Sequence, residues 1–76
     1  MKIVRIQYSD GYWDEIGKAT YQCTRDDENV TQILVNHVDK DPFDGWFNVY
    51  TKHGLEYSVN PKCVDCVVWG GAVCNS

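Results

Sequence analysis

Short apolar and aromatic runs, each about one strand long, recur along the whole chain with turn-forming residues between them. "KIVRIQY" (2–8) interrupts its apolar residues with Arg5 and Gln7. "ATYQCTR" (19–25) alternates Tyr21 and Cys23 with Thr20, Gln22 and Thr24, the period-two pattern of a half-buried strand. "VTQILVNHV" (30–38), "WFNVYTK" (46–52) and "LEYSV" (55–59) continue the series, and Val64 to Trp69 adds a sixth run. His53-Gly54 is the tightest hairpin signal, because glycine supplies the positive φ that such turns need. Helical spacing is confined to one short turn expected between Tyr12 and Ile16.

This pattern predicts a mainly all-β fold: one small domain over 1–76 with a five- or six-stranded antiparallel meander. A strongly bent sheet or a small SH3-like or Sm-like barrel would bury one face and hide the strand edges. Residues 70–76 are expected to form a mobile C-terminal tail. One side-chain phase gathers Val4, Ile6, Tyr8, Tyr21, Cys23, Ile33, Val35, Phe47, Val49, Leu55, Tyr57 and Val59 as the predicted core. The opposite phase carries Ile3, Leu34, Val38, Trp46 and Tyr50, too apolar a stripe for an ordinary solvated face. Coverage by the chain's own Val67, Val68 and Trp69 is the expectation, with self-association through Leu34, Trp46 and Tyr50 as the alternative.

Size and composition narrow the picture further. Seventy-six residues, 43% hydrophobic and 24% charged, suit a single folded module with little room for an enclosed active site. The three Trp, five Tyr and two Phe offset the poor surface-to-volume ratio of so short a chain. Arg5 and Gln7 break the N-terminal apolar run before it reaches the length of a signal core, and no stretch approaches the roughly 20 apolar residues that span a bilayer. A cytoplasmic protein without a membrane role is therefore expected, with its four cysteines reduced. Eleven acidic residues against seven basic give a formal net charge of −4, which disfavours direct contact with nucleic-acid phosphates.

The candidate chemistry is sparse. Cys63-x2-Cys66 has the spacing of one zinc-binding pair, with Cys74 seven residues after it, but no second pair completes a tetrahedron. In an extended segment residues 63 and 66 point to opposite faces, so small buried thiols are expected in preference to metal ligands or a disulfide. No cofactor is expected, and if a metal were bound its ligands would be Cys63, Cys66 and Cys74. "DKDPFDG" (39–45) offers Asp39, Asp41 and Asp44 but lacks calcium-loop register, with Phe43 and Tyr50 where oxygen ligands belong. His37, on the inward phase, is expected as a half-buried structural histidine. Nothing has the form of a phosphate cradle or nucleophile elbow, so the protein is not expected to be an enzyme.

In one continuous meander, alternate loops fall at the same end, which would bring loop 9–18 beside loop 39–45. These loops hold six carboxylates, Asp10, Asp14, Glu15, Asp39, Asp41 and Asp44, opposed by Lys18 and Lys40. Tyr12, Trp13, Asp14, Glu15, Asp41, Phe43 and Asp44 thus become the candidate partner-binding residues: aromatic anchors inside an acidic rim that steers a basic protein surface. The expected function is a small acidic binding module, a stand-alone inhibitor or adaptor of the kind phages use to block a host nucleic-acid-binding enzyme. The alternatives are a zinc-stabilised domain and a single-strand nucleic-acid binder that stacks its aromatics on bases.

Overall fold

The computed structural model describes residues 2–21 and 33–70. They form six antiparallel strands in two three-stranded sheets: β1 (Lys2–Tyr8), β2 (Trp13–Glu15), β3 (His37–Lys40), β4 (Phe47–Thr51), β5 (Gly54–Val59) and β6 (Val64–Gly70). One sheet has the order β2-β1-β6 and the other β3-β4-β5. The all-β expectation holds. The connectivity departs from a single meander, because β6 returns to pair with β1 and only β3-β4-β5 runs consecutively. No helix among the described residues is long and apolar enough to cross a membrane.

Where Tyr12–Ile16 reads as a helical turn, the chain instead folds back as a strand. The Asp10 carboxylate accepts the Tyr12 amide at 3.0 Å, Gly11 takes a φ of 94°, and the Tyr8 amide donates to the Tyr12 carbonyl at 2.8 Å. That closed loop sets the register Arg5↔Glu15, Ile6↔Asp14 and Gln7↔Trp13. Cross-strand contact on the outer face then favours the strand: the Arg5 guanidinium lies 4.8 Å from the Trp13 ring centre, and its Nη1 is 3.6 Å from Glu15 Oε1.

The core joins Ile3, Ile6 and Tyr8 of the first sheet to Val38, Phe47 and Val49 of the second, with Val35 from the connecting segment. The sequence pattern puts Ile3 and Val38 on the opposite face and Val4 inside, and the structure reverses all three. A bulge explains β1: Ile3 pairs Trp69 while Arg5 pairs Val68, so Val4 is the extra residue and the inward phase shifts by one. Val4 leans over Gly70, where an added Cβ would stand 2.6 Å from its Cγ1, and the bulge therefore requires the missing side chain at the end of β6. β4 keeps strict alternation, with Phe47, Val49 and Thr51 buried. Leu55 is exposed, since a register shift beside the hairpin turns it outward. That turn lies at Lys52-His53, one residue earlier than expected, with Gly54 at a φ of 102°.

The expected strands over 19–25 and 30–38 reduce, in the described residues, to an Ala19↔Leu34 bridge and a late strand from His37. Cys23, most of the 19–25 run, the first residues of the 30–38 run and the tail beyond Gly70 lie outside the described residues. The C-terminal strand leaves Leu34 and Trp46 exposed. It pairs with β1, and its half-buried Val67 packs on the core.

Candidate binding site

Two aspartates organise the polar architecture, and they do so in opposite environments. Asp14 sits mid-strand in β2, and the alternation of the strand sends it inward while Trp13 and Glu15 face outward. It is 0% exposed. The Tyr8 hydroxyl donates to its Oδ2, the Tyr57 hydroxyl lies 3.0 and 2.9 Å from its two oxygens, and the Tyr21 amide donates to Oδ1 at 2.6 Å. Tyr8 belongs to the first sheet and Tyr57 to the second, so this carboxylate ties the sheets together through its donors. Burial pushes the Asp14 pKa above the ordinary carboxylate range, against the downward pull of the Tyr8, Tyr21 and Tyr57 donors. Tyr8 is pushed up as well, by burial first and then by its bond to Asp14.

This placement corrects the expectation that Asp14 is a solvent-facing, steering carboxylate. A charge closed off from water behind two phenols exerts little pull on an approaching partner, and its work is internal. The other residues of the first loop divide their roles. Tyr12 is half-buried, with its ring 5.6 Å from that of Tyr21 and nearly perpendicular to it. Trp13 is 40% exposed beneath Arg5, and Glu15 is half-buried beside the same guanidinium.

Asp41 does its work at the surface. Its Oδ1 accepts the Phe43 amide at 2.7 Å and the Asp44 amide at 3.3 Å, and its carbonyl accepts the Gly45 amide at 3.0 Å. The Asp41 amide donates to the Trp46 carbonyl at 2.8 Å, while Asp44 Oδ1 accepts the Trp46 amide at 2.8 Å. Gly45 completes the reversal with a φ of 78°. These five hydrogen bonds brace the 41–46 turn between β3 and β4, and at its tip Phe43 is 95% exposed. Asp44 is exposed beside it, and Trp46 is partly exposed at the base.

Trp13 and Phe43 do not build one aromatic patch: the first is engaged by Arg5 on its own sheet, and the second stands almost wholly in solvent. With the chain split into two sheets, loops 9–18 and 39–45 are not alternate loops of one continuous meander. The remaining candidates are also relocated. His37 is exposed instead of half-buried, its Nε2 3.2 Å from Asp39 Oδ2 and its ring 5.3 Å from that of Tyr50. Cys63 and Cys66 are free and exposed, not small buried hydrophobes, because the 3-10 turn Pro61–Cys63 and the start of β6 both lie at the surface. Cys74 lies outside the described residues. No group of three potential metal ligands converges among the described residues. Asp39 is engaged by His37 and by the Asn48 amide at 3.0 Å, apart from the turn-building bonds of Asp41 and Asp44.

No protein-family model, curated protein or solved structure matches the chain.

Proposed function

We propose that the protein is a non-enzymatic binding module that docks a basic surface of another protein through the 41–46 turn. The observation that carries this reading is Phe43, a large apolar ring 95% exposed on a turn already fixed by five hydrogen bonds. A ring held this way contributes contact area to a partner with little further loss of backbone entropy. Asp44 is exposed beside the anchor and Asp41 builds the turn under it, so the tip pairs an aromatic centre with negative charge. The chain's formal net charge of −4 favours a cationic partner over the same range of approach. An acid with a displaced pKa is often a catalytic candidate. Asp14, however, is closed to solvent and saturated by donors from both sheets, which supports a structural role.

The test is capture from cell extract on immobilised wild-type protein, Phe43→Ala and Asp44→Lys. Proteins held by the wild type should be lost from Phe43→Ala, with affinity falling about 30-fold or more, as for an interface hot spot. Asp44→Lys should chiefly slow association and flatten its salt dependence. The same set of captured proteins on all three surfaces would rule the reading out.

A further inference from the structure

Between the start of β1, the end of β6 and the strand β3, an open cavity of about 240 Å³ is lined chiefly by Lys2, Ile3, Val38, Lys40 and Trp69. We propose that this cavity is a second binding site, for a small aromatic carboxylate. The proposal uses none of the residues of the 41–46 turn and stands apart from the reading of that turn.

The floor of the cavity is apolar and comes from both sheets. Ile3 of β1 and Val38 of β3 are 3% and 2% exposed. Ile3 pairs with Trp69 across β1 and β6, which puts the two side chains on one face of the first sheet. The isoleucine is closed into the core, while the larger indole beside it stays 52% exposed. No second ring and no cation is paired with that indole among the described residues. A flat aromatic body laid on this floor would cover the indole and gain both apolar burial and ring contact.

The rim selects the charge of the ligand. Lys2 and Lys40 are exposed, and neither makes an ion pair among the described residues. Lys40 shares a strand face with Val38, two residues before it, and its Nζ lies 5.8 Å from the ring centre of its cross-strand partner Phe47. A ring face takes up none of the three N–H donors of an ammonium group. The one carboxylate in the lining, Asp39, is already engaged at both oxygens: Oδ2 lies 3.2 Å from His37 Nε2, and Oδ1 accepts the Asn48 amide at 3.0 Å. Two lysines thus face a single occupied carboxylate. The chain's net charge of −4 opposes an anion only weakly here, because carboxylates more than about 8 Å away are screened at physiological salt. An organic cation would meet both ammonium groups, and a fully polar anion would leave the indole and its floor uncovered. An apolar ring carrying one carboxylate answers both features, in the manner of small-ligand sites that combine an apolar lining with a few polar groups.

The experiment titrates the full, isotopically labelled chain with benzoate and, separately, with its neutral isostere benzamide, following the Ile3, Val38 and Trp69 resonances by NMR. Benzoate should give saturable shifts at these residues, with benzamide about tenfold weaker and inorganic phosphate weaker still. Lys2→Gln and Lys40→Gln change exposed side chains and should leave the fold intact. Each should weaken benzoate about threefold, and the double variant about tenfold. Trp69→Leu keeps an apolar side chain in β6 but removes the ring, and should cost about threefold in affinity for benzoate. If Trp69→Leu fails to fold, the double lysine variant decides. Equal binding of benzoate and benzamide, phosphate binding as tight as benzoate, unchanged benzoate affinity in the double lysine variant, or no saturable shift at about 100 mM benzoate would each overturn the proposal.

Discussion

Asp14 and Asp41 are the same residue type, each followed closely by an aromatic or acidic neighbour in a turn-rich stretch, yet they serve opposite ends of the protein's physics. Asp14 is buried, gathers donors that are distant in sequence and holds one sheet against the other. Asp41 gathers amides two and three residues away and shapes a surface turn. Removing the first takes from the buried Tyr8 hydroxyl its acceptor inside the molecule. Removal of the second exposes amides that water can satisfy. The lesson is that an acidic residue is placed by the reach of its partners, and that reach separates what folds this chain from what it presents to others.

The comparison can be broken most directly at Asp14. Asp14→Ala should cost about 3 kcal/mol or more, because the Tyr8 hydroxyl loses its acceptor inside the molecule and the Tyr57 hydroxyl and the Tyr21 amide each lose a bond to the carboxyl group. Urea denaturation measures it, and a cost below about 1 kcal/mol would show that the carboxylate does not hold the sheets. Tyr57→Phe should cost about 1–2 kcal/mol, since it removes a donor to the buried Asp14 carboxyl group and an acceptor of the Tyr21 amide while the ring is retained. Asp41→Ala should cost about 1 kcal/mol, in line with loss of a capping side chain at a solvent-exposed turn. A larger penalty than that of Asp14→Ala would reverse the comparison.

The pH dependence sharpens it. The Asp14 pKa is raised in the folded protein above its ordinary 3.8, so the folded state keeps this proton where the unfolded chain has released it. The stabilising contribution of the protonated group is complete below the unfolded value and is lost as pH rises through the folded one. Asp14→Asn cannot titrate. Stability measured by urea across the acid range should therefore fall with rising pH in the wild type relative to Asp14→Asn, and a constant difference would contradict the raised pKa. Smallest of all should be the effect of Phe43→Ala on stability, within about 0.5 kcal/mol, since a ring in solvent leaves no cavity.

Much of the fold was readable from alternation alone. The run 2–8 is β1 to the residue, and β4, β5 and β6 agree with their apolar runs to within one residue at each end. The bulge at Val4 was not readable, because an inserted residue reverses the phase while leaving the composition of the strand unchanged. Asp14 was misplaced for a related reason. "DGYWDE" resembles the acidic start of a helix, and the partners that draw Asp14 inward, Tyr8 and Tyr57, are fixed only by tertiary pairing. The available signal was the alternation Trp13, Asp14, Glu15, which in a strand sends the middle residue to the core face. Phe43 was identified correctly as a large apolar residue in a turn, although its isolation from Trp13 depended on the sheet split.

The most direct test of the binding account is an NMR titration of the isotopically labelled chain with a protein captured by the wild type. The largest changes should fall on the Phe43 ring and on the amides of Phe43 and Asp44. The resonances of Asp14 and its donors should stay within a small fraction of those shifts. Changes centred on Trp13, Leu34 or Trp69, with Phe43 unmoved, would place the interface elsewhere and contradict the account.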